Sequence, residues 1–137
     1  VLHCSSRQTV QFVQWIMEQP WYENTTVVIS GDHATMVSGY APDDDSYDRG
    51  VYYCFINPAA VPADRTHTAC TMDLFPTTLA AMGVEIEGDR LGLGTNLFSE
   101  RDTIVDELGQ KEVISQLNMK SEFYDSVLLY GEEAEEK

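Results

Sequence analysis

The feature that most constrains this chain is a charge-free run, Thr25-Thr26-Val27-Val28-Ile29, that empties directly into Ser30-Gly31-Asp32-His33. Side chains branched at Cβ fit a pleated strand. An uncharged run bounded by polar turns suits a strand covered on both faces within a parallel sheet. Before it, residues 7–19 place Val10, Val13 and Met17 on one stripe with Phe12, Trp15 and Ile16 beside it, which predicts an amphipathic helix. Ser5 and Ser6 are suited to cap its start, and Pro20 ends it. Helix then strand is half of an α/β repeat. Asp32 and His33 are therefore expected at the carboxyl end of a strand, the edge where open α/β sheets bind ligands.

Beyond His33 the pattern changes. Residues 34–49 are largely polar and include Pro42 and the consecutive Asp43, Asp44 and Asp45, so they read as an exposed loop. A second strand is expected over 51–56, stopped by Asn57-Pro58. A short apolar helix is expected from Thr71 to Met82, with Pro76 in its first turn and Gly83 closing it. Residues 88–96, GDRLGLGTN, lack both the GxGxxG spacing and a Walker lysine, and read as a structural loop. One or two helical turns over 103–108 and a longer helix over 110–129 complete the pattern, with Val113, Ile114, Leu117, Phe123, Val127 and Leu128 as its apolar residues.

The 137 residues fall in the range of one domain, and 43% hydrophobic content supports a modest core. No apolar run is long enough to span a bilayer, and the N-terminus VLHCSSRQ has no export-signal pattern. A formal charge of −15 with eight Lys and Arg disfavours nucleic acid, whose phosphates need a basic surface. Part of that charge lies in residues 131–137, an acidic tail of disordered composition, which leaves 1–130 as the folded portion. The three cysteines, Cys4, Cys54 and Cys70, allow at most one internal bridge and read as small buried hydrophobes.

Asp32 and His33 supply a carboxylate oxygen and an imidazole nitrogen, donors that suit Zn, Mn or related divalent ions. Adjacent Asp and His also occur as a hydrogen-bonded structural pair. Asp73 reads as a first-turn carboxylate that satisfies helix amides. His3 and His67 read as exposed or locally hydrogen-bonded, and Tyr53 and Phe55 as packing on one strand face with Tyr52 on the other.

Taken in order, the strand and GDH at 27–33, the D-x-x-PT helix at 73–77 and the LGLG stretch at 91–94 resemble the C-terminal part of sulfatase-like members of the alkaline phosphatase superfamily. The phosphoglycerol transferases and lipoteichoic acid synthases are the nearest in appearance, over residues 5–100. The resemblance implies an α/β fold, mainly a parallel sheet flanked by helices and incomplete in this chain. It further implies a longer enzyme on the extracytoplasmic face of a bacterial membrane, anchored through an N-terminal region, with this portion itself soluble. Such enzymes move phosphoglycerol from a phospholipid headgroup donor to a glycan or polymer hydroxyl, through a threonine nucleophile and one divalent metal, Mn first, with Zn or Mg as alternatives.

On this resemblance Asp32 and His33 are two metal ligands, while the nucleophile and the remaining ligand lie upstream of Val1. The chain alone is then expected to be inactive. Arg49 and Arg90 are candidate contacts for an anionic headgroup. Thr35 reads as a loop residue rather than the nucleophile. Two other readings stay open: a sulfatase or phosphodiesterase on the same scaffold, and a non-catalytic α/β interaction module in which Asp32 and His33 are structural.

Overall fold

In a computed structural model of the chain, the structure describes residues 2–34, 50–64 and 66–131. Thr35, the three aspartates at 43–45 and Arg49 lie outside them, as does the acidic tail from residue 132. The first helix, α1 (Leu2–Met17), starts before the expected stripe. Ser5 and Ser6 continue the helix instead of capping it; the Thr9 hydroxyl donates to the Ser5 carbonyl at 3.1 Å, the back-bonding that lets such residues sit inside helices. A 3₁₀ turn at Tyr22–Asn24 then delivers the chain to β1 (Val27–Ser30).

The neighbour of β1 is β2 (Tyr53–Ile56), and the pair is antiparallel, with Val27 opposite Ile56 and Ser30 opposite Tyr53. Here the expectation of a mainly parallel sheet needs correction. Among the described residues the sheets are two antiparallel pairs, so the chain mixes helix and strand without a large parallel sheet. The β1 residues Val27, Val28 and Ile29 are half-buried rather than covered on both faces. The charge-free run specified a strand but not its direction of pairing, because buried-strand composition is similar in either arrangement. Asn57, in the left-handed region at φ 56°, fastens the far end of this ribbon. Its amide donates to the Tyr22 and Thr25 carbonyls, both at 3.0 Å.

Alternation along β2 turns Tyr52, just before it, to solvent and Phe55 inward, where its ring meets Phe98 edge-on at 5.4 Å. Tyr53 shares the inward face; burial, then the nearby Cys70 and Asp73, push its hydroxyl above the usual phenol range. A 3₁₀ turn at Thr71–Asp73 runs into α2 (Leu74–Ala81), which Gly83 closes at φ +86°. The glycine-rich stretch forms a small hairpin, β3 (Arg90–Leu91) with β4 (Gly94–Thr95). Then come α3 (Ile104–Leu108) and α4 (Gln110–Leu117).

The single long helix expected over 110–129 is broken after α4. The Asn118 side chain turns back to the Ile114 carbonyl at 2.9 Å, and the Ser121 hydroxyl caps the amide of Tyr124 at 3.1 Å, so a separate π-helical turn begins at Tyr124–Leu129. No helix among the described residues is long and apolar enough to cross a membrane. Cys4, Cys54 and Cys70 are free thiols; Cys4 is exposed and the other two are half-buried.

The core sits around α2 and β4, and it is unusually polar. Ile16, Ala80, Ala81, Val105 and Val113 are its buried apolar residues, but Thr77, Thr95, Thr103 and Asp73 are among its largest fully buried side chains. Burial of that kind is tolerable only if every donor and acceptor is matched. Among the described residues no buried side-chain nitrogen or oxygen lacks a partner.

Candidate functional site

Asp32 and His33 follow β1 directly, as the sequence leads one to expect. The last rung of the ladder is the Gly31 amide, which donates to the Tyr52 carbonyl at 3.0 Å. A Cβ on Gly31 would stand 3.0 Å from Val51 Cγ1, so glycine lets the chain turn closely past its neighbour. Beyond that turn the two side chains fold toward each other. Asp32 Oδ1 accepts the His33 amide at 3.0 Å, and Oδ2 lies 3.3 Å from His33 Nε2. His33 Nδ1 lies 2.8 Å from the Ala34 carbonyl, which makes Nδ1 a donor and leaves Nε2 as the ring atom that faces Asp32 Oδ2. Both side chains are open to solvent, at 86% for Asp32 and 55% for His33. A carboxylate oxygen and an imidazole nitrogen thus converge on one accessible point. Among the described residues no third His, Cys, Asp or Glu joins them.

Asp73 and the LGLG stretch belong to a different assembly. Asp73 is fully buried; Oδ2 accepts the Cys70 amide at 2.8 Å, as a helix-capping carboxylate would, while Oδ1 accepts the Thr95 amide at 2.7 Å from across the fold. The Thr77 hydroxyl donates to the Asp73 carbonyl at 2.6 Å and accepts the Leu97 amide at 3.0 Å. At Gly94 any Cβ would collide with the Met72 carbonyl, so the D-x-x-PT and LGLG motifs interlock backbone against backbone.

Arg90 is drawn into this assembly and not toward Asp32 and His33. Its guanidinium donates to both Glu107 carboxylate oxygens, at 3.2 and 2.7 Å, to the Asp102 carbonyl at 2.8 Å and to the Thr95 hydroxyl at 3.3 Å. The hydrogen bonds from Arg90 hold the Glu107 carboxyl below the usual carboxylate range. With these donors committed, Arg90 fits a clamp between the hairpin and α3 better than a headgroup contact. Arg49 lies outside the described residues.

His67 departs from its sequence reading. Its side chain is 4% exposed, with Nδ1 3.2 Å from Asp106 Oδ2 and Nε2 2.9 Å from the Ser99 carbonyl. Asp106 also accepts the Thr68 amide at 3.0 Å, and it closes a capping box with Thr103 at the start of α3. Burial works against the charged carboxylate, yet the Thr68 amide, His67 and the Thr103 amide together hold Asp106 well below the usual range. The Thr103-x-x-Asp106 spacing is a local signal that could have marked this cap, while its partner His67, thirty-nine residues away, carries none. His3 is exposed, as expected.

Comparison of the chain with protein-family models, with characterised proteins and with solved structures finds no match.

Proposed function

We propose that Asp32 and His33 are half of a divalent-metal site in a longer enzyme that transfers phosphoglycerol, or a related phospho-headgroup, from a lipid to a glycan or polymer hydroxyl. One observation carries the metal reading. Asp32 Oδ2 and His33 Nε2 lie 3.3 Å apart and accessible to solvent, and with Nδ1 committed to the Ala34 carbonyl, Nε2 is the ring atom that could bind a cation shared with the carboxylate. The donor chemistry fits Mn, Zn or Mg, and the exposure of the pair leaves room for ligands from elsewhere. A cation held there would offset charge on phosphoryl oxygens and activate a hydroxyl nucleophile. The order of GDH, D-x-x-PT and LGLG supports the transferase class within the sulfatase-like scaffold, on the extracytoplasmic side of a membrane.

A second reading has its own support. A proton on Nε2 would turn the same contact into an exposed ion pair, the expectation for a non-catalytic module. Titration with Mn²⁺, read by paramagnetic broadening of the chain's NMR signals, separates the two. Metal binding predicts broadening centred on residues 31–34 that disappears in the Asp32→Ala, His33→Ala double variant. Broadening confined to the acidic tail in both proteins would sink the metal site. For the transferase class, the test is the chain that precedes Val1 in the full-length protein: a Thr nucleophile and a Glu ligand support it, a Cys modification motif favours sulfatase, and neither leaves it without machinery.

A further inference from the structure

The buried His67 side chain presents a hydrogen-bonding problem that the proposed metal site does not touch. A neutral imidazole has one N–H and one lone pair. Both nitrogens of His67 face oxygens that only accept: Asp106 Oδ2 at 3.2 Å and the Ser99 carbonyl at 2.9 Å. A neutral ring would turn its lone pair on one of them, in a place where only 4% of the side chain reaches water. A ring with both hydrogens satisfies both.

We propose that His67 is held as an imidazolium and acts as a proton-operated clasp, fastening the segment that leads into the Cys70–Asp73 turn onto α3 and the Ser99 loop. Three contacts make up the clasp besides the ring. The Thr68 amide donates to Asp106 Oδ1 at 3.0 Å, the Thr103 hydroxyl donates to the Thr68 carbonyl at 2.8 Å, and the Thr103 amide reaches Asp106 Oδ2 at 3.3 Å. Asp106 is the ionised group in contact with the ring. Other ionisable side chains on the surrounding elements are Glu107, paired with Arg90; Arg101, bonded to the Gly88 carbonyl; Glu100 and Asp102 beside Ser99; and Asp64 and Cys70 on the segment of His67 itself. Loss of the ring proton removes one of the two ring bonds and the charge opposite Asp106. The segment entering the Asp73 turn is then held by one neutral ring bond and the Thr68 contacts to Asp106 and Thr103.

The test is ring-nitrogen NMR of the 137-residue chain, with the exposed His3 and His33 assigned by His3→Gln and His33→Gln so that His67 is identified without being altered. The expected result, on the acid side of imidazole titration, is two His67 ring N–H signals slow to exchange with solvent, one bonded to Asp106 and one to the Ser99 carbonyl, where the exposed His3 and His33 show none. In parallel, the opening constant of the Thr68 amide, read by hydrogen exchange, should rise about tenfold as the ring loses its proton, the scale of one charge-assisted hydrogen bond. In His67→Gln that pH response should vanish. A single N–H on His67 on the acid side, or a Thr68 opening constant that does not follow the ring proton, would overturn the clasp. If His67→Gln fails to fold, the two wild-type measurements decide alone.

Discussion

The Asp73 assembly and the Asp32–His33 pair are both built on a carboxylate and could hardly be treated more differently. In the first, the carboxylate is sealed from water and both its oxygens are matched to amides, one of them 22 residues away. In the second, carboxylate and imidazole lie open beside each other, Oδ2 and Nε2 3.3 Å apart. Matching consumes coordinating capacity. A group whose lone pairs already meet donors contributes to stability, while one left open keeps its chemistry available at little structural cost. On this physical ground, the D-x-x-PT and LGLG motifs are fastenings, and GDH is the motif whose donor atoms stay open to solvent.

Four substitutions or conditions can break that contrast. The largest effect is expected for Asp73→Ala, which strands the Cys70 and Thr95 amides; about 3 kcal/mol or more should be lost in urea unfolding of the chain. Gly94→Ala should cost about 1–3 kcal/mol, because its Cβ has to displace the Met72 carbonyl, and a neutral result would mean that the interlock is not tight.

Acid comes next. The Asp106 carboxyl is depressed in the fold, so its stabilisation is fully present above the unfolded carboxylate value of about 4 and declines as pH falls below it. Wild type should therefore lose more stability than Asp106→Asn between pH 5 and pH 2, taken as roughly the window of that titration. Parallel curves would remove Asp106 from the account. The smallest effect on stability is expected for the Asp32→Ala, His33→Ala double variant, within about 0.5 kcal/mol of wild type, because both side chains are exposed. A loss as large as that of Asp73→Ala would place the pair among the fastenings.

Much of this contrast was legible before the fold was known, and the failures have physical causes. The β-branched run fixed β1, and with it the position of Asp32 and His33, because local composition and periodicity are what a strand of that kind requires. Direction of pairing depends on the path of the chain between β1 and β2, which composition does not encode. The break after α4 was hidden because the apolar spacing from Val113 to Leu128 continues in helical period through Asn118 and Ser121. Capping by Asp73 was readable from its place in the first turn, but its second bond, to Thr95, was not. Arg90 carried a charge suited to an anion, and nothing local revealed that Glu107 already occupies it.

The two bonds of Asp73 also carry information about time. The Cys70 amide is three residues distant in sequence and the Thr95 amide is twenty-two, so closing the first costs little chain entropy and closing the second must wait for a loop. The carboxylate can close the 3₁₀ turn ahead of α2 early with one oxygen while the other stays solvated. It surrenders that water only when the hairpin arrives, so the step that completes the core is also the step that dries it.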